Sequence, residues 1–142
     1  MITENVKKIA NYDTLLQSYQ KLIQTKNEPK AENNGIYQRY KNPVVTSNHI
    51  PLHWKYDLNA DTNPNGLERI GFNATFNAGA MRFNDKYIMC VRVEGNDRKS
   101  FFAIAESDNG IDNFEFWEKP CVIPQIEGNP DTNAYDMRLV QH

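Results

Sequence analysis

Alternating strands between Phe72 and Trp117 are the feature that most constrains the fold of this chain. Apolar residues occupy every second position from Phe72 to Ala80, which predicts a strand. Further strand patterns follow at residues 87–93, 100–105 and 114–117. Short polar turns separate them, the first being Asn84-Asp85, two residue types that tolerate a positive φ angle. The sequence therefore predicts an antiparallel meander of four strands, which is the unit of a β-propeller blade.

The N-terminal segment, residues 1–28, predicts a helix instead. Over residues 3–26, apolar residues recur at a spacing of three or four with one gap of seven, and they form a single stripe: Val6, Ile9, Leu16, Tyr19 and Ile23. Thr3 is a suitable N-cap, and Asp13 would cap a second helix if the chain breaks there. The stripe has to pack on the chain's own sheet or against another subunit, so association of copies through this helix stays open.

Residues 29–71 predict an irregular loop region, because Asn and Pro are frequent and apolar residues are isolated. His49 and His53 have a spacing that suits metal binding only on a helix, and Pro51 lies between them. We therefore expect no metal site. Trp54 and Tyr56 either stack on a sugar ring or anchor the loop.

Charge and composition exclude several classes of protein. The net charge is −2, from 16 basic and 18 acidic residues without a basic stripe, so nucleic acid is not an expected partner. The sequence has neither a membrane-length apolar run nor a signal pattern, so we expect no membrane association. Cys90 and Cys121 lie in strand-like segments, where reduced buried thiols fit better than a disulfide. These features predict a cytoplasmic protein.

The candidate binding residues lie in or beside the strands. Asn73 and Asn77 alternate with apolar positions, which is typical of either a channel wall or a solvent-exposed edge. Arg92 opens a charged stretch that ends at Lys99 and is either an ordinary turn or a site for paired hydrogen bonds to a carboxylate or to sugar hydroxyls.

A fifth strand is predicted to start near Asp136 and to stop with the chain at His142. Asp136 and Arg138 would share one face of it, and pairing between them would lower the pKa of Asp136. Residues 72–142 are thus assigned to a first blade and the first strand of a second. We expect the chain to be a truncated part of a larger protein, because a single blade leaves sheet edges unpaired.

Several long segments resemble glycoside hydrolase family 130. The resemblance rests on residues 68–80, 92–102, 105–114 and 135–138, and it extends to residues 26–29 and 54–59. It implies a mainly β fold, a five-bladed β-propeller whose active site lies in the central channel. The chain would hold the first blade and the start of the second, after an N-terminal helical segment.

The resemblance also implies a reaction. Members of the family that are phosphorylases cleave β-1,4-mannosyl-glucose, or related β-mannosides, with inorganic phosphate, and invert the configuration to give α-mannose 1-phosphate and glucose. The family's proton donor matches Asp136. The candidates for binding the mannose are Asn77, Arg92, Asp97 and Arg98, with Arg138 beside the donor. Phosphate is a co-substrate, and no cofactor or metal is implied.

Two other functions stay open at this point. A phosphorylase needs no second carboxylate to activate water, because phosphate is already anionic, but it needs a cationic cradle for the phosphate. In the family most of that cradle comes from later blades, so we expect these 142 residues to be inactive by themselves. The alternatives are a β-mannoside hydrolase of the same family and a non-catalytic carbohydrate-binding β module.

Overall fold

The computed structural model describes residues 12–128 and 133–142, apart from the side chain of Asn77. The chain is mainly β and forms two antiparallel sheets. In order, its elements are α1 (Tyr12–Ile23), β1 (Pro29–Asn33), β2 (Gln38–Tyr40), a 3-10 turn (Ser47–His49), α2 (Leu52–Lys55), β3 (Phe72–Phe83), β4 (Lys86–Gly95), β5 (Ser100–Ser107) and β6 (Glu115–Phe116). The larger sheet has the strand order β3-β4-β5-β6, which confirms the predicted meander. Within the described ranges, no helix is long and apolar enough to cross a membrane.

Tight turns set the register of the larger sheet. Phe83 pairs with Lys86 across a two-residue turn, in which Asn84 has a φ of 48° and Asp85 a φ of 64°. Two successive left-handed residues give a turn whose twist matches that of the flanking strands. The predicted hairpin at Asn84-Asp85 is therefore confirmed.

One face of the larger sheet forms the core. Val91 and Val93 on β4 lie there beside small residues of β5, and Trp54 covers them. The Trp54 ring lies 6.1 Å from Phe101 and 6.0 Å from Phe116, and its Nε1 donates a hydrogen bond of 2.7 Å to the carbonyl of residue 118. Only 9% of Trp54 is exposed, so it anchors the loop, and the alternative of sugar stacking is wrong for this residue.

The region 29–71 is more ordered than the sequence predicts. β1 and β2 form a small hairpin, and the Asn33 side chain accepts a hydrogen bond from the Gly35 amide at 2.7 Å in the turn between them. The 3-10 turn is capped reciprocally by Thr46 and His49. Side-chain caps of this kind stabilise local structure that apolar periodicity does not reveal.

The helix α1 confirms part of the predicted helical segment and packs on its own chain. Residues 3–11 and the proposed Thr3 cap lie outside the described residues. Within α1, the Tyr19 hydroxyl donates to the carbonyl of His49 at 3.1 Å, and the Tyr12 hydroxyl donates to that of Asp57 at 3.1 Å. Burial raises the pKa of Tyr19 to about 12, with a smaller contribution from the Glu115 carboxylate.

Two irregularities in β3 overturn its predicted alternation. The pairing of β3 with β4 shifts between residues 72 and 74 and again between 76 and 79. As a result Thr75 lies opposite Val93, whereas Gly79 lies opposite Cys90. Val93 and Cys90 belong to opposite faces of β4, so Thr75 and Gly79 do not share a face, as strict alternation along β3 would require. An extra residue in one strand changes the face that every later side chain occupies.

The predicted fifth strand is not formed as a paired strand within the described residues. Residues 133–142 contain no strand, although they lie against β3 and β5. Asp136 has a φ of 50°, which is outside the extended region and interrupts the strand conformation. Asp136 and Arg138 consequently do not alternate along one strand face.

Replacing Trp54 with alanine tests the core. The Trp54→Ala variant loses a buried ring and leaves a cavity, so its free energy of unfolding should fall by about 3–5 kcal/mol. Urea denaturation measures this loss. Trp117→Ala is the matched control, because Trp117 is 50% exposed, and it should change the value by no more than about 1 kcal/mol. Equal losses of the free energy of unfolding in the two variants would contradict the conclusion that Trp54 anchors the core.

His49 should make stability depend on pH. Burial lowers the pKa of His49 below its usual value of 6.5, and the Thr46 amide donates to its Nδ1 at 3.0 Å, which an imidazolium cannot accept. Below pH 6.5 the unfolded chain therefore binds a proton that the folded chain resists, and the free energy of unfolding falls until the pH reaches the folded pKa.

The variant His49→Asn keeps an acceptor for the Thr46 amide and removes the titrating group. Urea denaturation at pH 7.5 and pH 5.5 should show a smaller loss of stability for His49→Asn than for the unmodified chain. The difference between the two proteins cancels the contribution of every other ionisable group. An identical loss in both would disprove the role of His49.

Candidate functional site

The candidate site lies on the face of the larger sheet opposite the core. Along β4, the side chains of Cys90, Arg92 and Glu94 alternate with the core residues and point to this second face, which we call the Arg92 face. Cys90 is fully buried, whereas the Arg92 and Glu94 side chains are 11% and 14% exposed. The residues that cover this face come from a segment distant in sequence, residues 133–139.

Arg92 lies between two aromatic rings. Its guanidinium carbon is 4.4 Å from the centre of the Phe76 ring and 4.1 Å from the centre of the Tyr135 ring. The Nε atom donates to the Ser100 hydroxyl at 3.1 Å, and an Nη atom lies 3.5 Å from a Glu94 carboxylate oxygen. A guanidinium keeps its charge under all physiological conditions, and ring faces stabilise a cation by their negative quadrupole.

Glu94 joins Arg92 to β3. The Asn73 amide donates to the other Glu94 oxygen at 2.7 Å, so Glu94 contacts both residues. Asn73 lies at the first register shift in β3, between Phe72 and Ala74, next to β4. The charge of Arg92 is thus balanced within the sheet.

Residues 133–139 contact the Arg92 face at several points. The Asn133 side-chain oxygen accepts hydrogen bonds from the Ser100 amide at 2.8 Å and from its hydroxyl at 3.1 Å. The Ala134 amide donates to the Ser100 carbonyl at 3.3 Å, and the Met137 sulfur lies 3.1 Å from the Cys90 sulfur.

Gly79 allows the backbone of this segment to approach β3. A Cβ atom at Gly79 would lie 2.7 Å from the Met137 carbonyl oxygen and 3.0 Å from the Arg138 Cα. These distances are shorter than van der Waals contact, so a larger residue would displace the segment. The glycine is therefore required by the packing of a second chain segment and not by its own φ angle.

Asp136 is exposed and lies between the two residues that hold this segment, Tyr135 and Met137. Its φ of 50° places its backbone in the left-handed region. Arg138 is also exposed, and one of its Nη atoms donates to the Met137 carbonyl at 3.1 Å. Asp136 is thus exposed between two residues that contact the sheet, Tyr135 at Arg92 and Met137 at Cys90.

Asp97 and Arg98 lie in the exposed turn between β4 and β5. Asp97 accepts a hydrogen bond from the Lys99 amide at 3.0 Å, and Arg98 has a φ of 67°. Asp97 also lines an open cleft together with Gly71, Phe72 and Phe101. The turn leads directly into Ser100, whose hydroxyl contacts Arg92, so the turn lies beside the Arg92 face.

The sequence-predicted residues are therefore brought together only in part. The ring of Tyr135, which precedes Asp136 in the chain, lies over Arg92, while Asp97 and Arg98 occupy the turn between β4 and β5. Asn77 lies in β3 beside Phe76, but its side chain is outside the described residues.

The sequence did not assign roles to the residues that surround Arg92. These are Phe76, Glu94, Ser100 and Tyr135, and Asn133 is linked to them through the hydrogen bond that it accepts from Ser100. Phe76, Glu94, Ser100 and Tyr135 belong to the segments that carry the family resemblance, which was the available signal. Asn133 lies outside those segments, and its contact with Ser100 depends on the folded chain.

A carbohydrate-binding module was another hypothesis from the sequence, and no metal site was expected. Across residues 12–128 and 133–142, no three His, Cys, Asp or Glu side chains gather in a way that could hold a metal ion. The His53 ring contacts the carbonyl of residue 118 at 3.1 Å. Of the two aromatic residues that the sequence leaves open for stacking on sugars, Trp54 is buried and Tyr56 is partly buried.

Comparison with known proteins shows which class of enzyme the chain resembles. No profile of a known protein family matches the chain. A search of curated proteins, however, finds strong similarity to a glycoside phosphorylase.

That relative is 4-O-beta-D-mannosyl-D-glucose phosphorylase of Bacteroides fragilis. The identity is 58% over 128 residues, which covers 90% of this chain and 33% of the relative. The chain therefore spans about one third of the length of the curated relative that it matches. The resemblance inferred from the sequence is confirmed over nearly the whole of this chain.

The two thiols provide a test of how residues 133–139 cover the Arg92 face. Both cysteines are free, as expected from the sequence. Burial raises the pKa of Cys90 to about 11, with a further contribution from the neighbouring Cys121 thiol. At pH 8 only about one Cys90 in a thousand would be the reactive thiolate.

A Cys121→Ser variant should therefore react very slowly with a chromogenic disulfide reagent at pH 8 and should react fully once it is unfolded in urea. The converse variant, Cys90→Ser, retains the partly exposed Cys121 and should react faster. Rapid labelling of Cys90 in the folded Cys121→Ser protein would show that the covering segment is not in place.

Proposed function

We propose that this chain is part of an inverting glycoside phosphorylase that acts on β-1,4-mannosyl-glucose or a related β-mannoside. The observation that carries the proposal is the 58% identity to a mannosylglucose phosphorylase over 90% of the chain. The products would be α-mannose 1-phosphate and glucose. We also propose that the meander β3–β6 is the first blade of a five-bladed propeller.

Asp136 is the proposed proton donor. A phosphate oxygen attacks the anomeric carbon of the mannose from the face opposite the leaving group, and the bond between that carbon and the glucose O4 breaks. The glucose O4 takes up a proton that comes from the Asp136 carboxyl group, relayed by the mannose 3-hydroxyl. The carboxylate left on Asp136 regains a proton before the next turnover.

Several features support this role for Asp136. Its side chain is exposed on a segment fixed at Asn133, Tyr135 and Met137, so it can reach a bound sugar from a defined position. Burial of the carboxyl group by the sugar would favour the protonated form that a general acid needs. The further candidates for binding the mannose are Asn77, Asp97, Arg98 and Arg138, with Arg92 beneath Tyr135.

The phosphate, and not a second carboxylate, is the nucleophile in this scheme. A hydrolase of the same family would instead activate water and release free mannose. Since the chain spans about one third of the matched phosphorylase, we propose that the 142 residues lack turnover by themselves.

We also propose a cellular location for the protein and a helix through which its copies associate. Two cysteines that remain free thiols are typical of a reducing compartment, which supports a cytoplasmic location. The N-terminal helix could also join copies of the protein, and Leu16 on α1 is 47% exposed.

The substitution Asp136→Asn tests the proton donor in the protein expressed from its complete reading frame. Loss of a general acid should lower kcat by about 10²–10⁴-fold, while the dissociation constant for the disaccharide changes little. Release of mannose 1-phosphate followed by ³¹P NMR and calorimetric titration of the sugar measure the two quantities.

Asp85→Asn is the matched control, because Asp85 is also an exposed aspartate in the left-handed region, with a φ of 64°. It should leave kcat unchanged. Asp136→Asn with a near-normal rate would assign the acid role elsewhere, and free mannose released without phosphate would identify a hydrolase.

A further inference from the structure

We propose that Tyr135 is a positioning residue: by stacking on Arg92 it holds Asp136 in place, and Arg92 supports the acid without binding the sugar. The proposal rests on the proposed function, because it assumes that Asp136 donates the proton. It assigns to Tyr135, Phe76 and Ser100 a role that the sequence does not indicate.

Groups of the protein itself enclose the Arg92 guanidinium. Aromatic rings lie over the guanidinium at 4.4 Å and 4.1 Å, its Nε donates to Ser100, and Glu94 lies beside one Nη. With 11% of the side chain exposed, a sugar could stack on the guanidinium only by displacing a ring. Tyr135 is 61% exposed and is the ring that the solvent reaches.

The backbone of Asp136 has a conformation that depends on its neighbours, with a φ of 50°. A non-glycine residue in the left-handed region costs free energy, less for aspartate than for most residues, and it stays there only where the surrounding structure holds it. Tyr135 before Asp136 is held by Arg92, and Met137 after it lies against Cys90 and Gly79. Removing one of these supports lets the backbone of Asp136 relax and moves the carboxyl group.

The Ser100 side chain connects Arg92 with the segment that carries Asp136. Its hydroxyl accepts from Arg92 and donates to the Asn133 oxygen, so it links the guanidinium to the start of the segment. Arg92 therefore contributes to the position of Asp136 both through the Tyr135 ring and through Ser100. Displacing a catalytic group by about 1 Å can reduce the rate about a hundredfold.

The substitution Tyr135→Leu removes the stack and leaves Asp136 unchanged. In the protein expressed from its complete reading frame, kcat on the mannosyl-glucose disaccharide should fall tenfold or more, with KM within twofold of the original. Tyr135→Phe keeps the ring and should restore the rate. Tyr37→Leu is the matched control, because Tyr37 also lies over an arginine, with the Arg39 carbon 5.3 Å from its ring, but in the β1–β2 hairpin.

An activated substrate separates a positioning role from a general loss of structure. A nitrophenyl β-mannoside has a leaving group that needs little protonation, so Tyr135→Leu should lose much less activity on it than on the disaccharide. Equal losses on the two substrates would overturn the proposal. A rise in KM with unchanged kcat would also overturn it, because that result describes a residue that contacts the sugar.

Hydrogen exchange tests the structural half without any turnover. Peptides covering residues 133–139 should exchange faster in Tyr135→Leu and in Gly79→Ala than in Tyr37→Leu, and unchanged exchange in both would overturn the proposed anchoring. If the unmodified protein forms no mannose 1-phosphate, the proposed function fails and the catalytic half of the proposal with it. The exchange result still decides whether Tyr135 fixes the segment.

Discussion

Trp54 closes the apolar face of the four-stranded sheet, and the rest of the chain is arranged around that contact. An antiparallel sheet of this size is stable only when one of its faces is buried. Residues 44–54 supply the cover, with Ile50 fully buried and the Trp54 ring against Phe101 and Phe116. The helix α1 then contacts the covering segment, because the Tyr19 hydroxyl donates a hydrogen bond to the carbonyl of His49.

With the apolar face covered, the opposite face is available for charge. Arg92 is nearly buried there, and a buried cation is tolerated only when other groups compensate it. Compensation comes from Glu94, Ser100 and two ring faces, each contributed by a different part of the chain. This requirement ties residues 133–139 to the sheet more firmly than their lack of regular structure implies.

The sequence predicted the meander well and the site only in part. Period-two alternation and the Asn84-Asp85 turn are local signals, and both were sufficient for strands β3 to β6. The register shifts in β3 and the absence of a strand after Asp136 depend on contacts between separate segments, whereas the hairpin of residues 29–40 is held by local side-chain hydrogen bonds that apolar periodicity does not reveal. Asp136 was found through a family resemblance, whereas the stack of Phe76, Arg92 and Tyr135 joins residues that only folding brings together.

The contacts of residues 133–139 also bear on the order of folding. The strands of the meander are neighbours in sequence, and such contacts form early. By contrast, Ser100 and Asn133 are 33 residues apart, and Cys90 and Met137 are 47 apart. The surface that receives the segment must therefore exist before the segment can attach. We therefore expect Asp136 to reach its place late in folding, and to be among the first groups to lose that place when the protein is mildly destabilised.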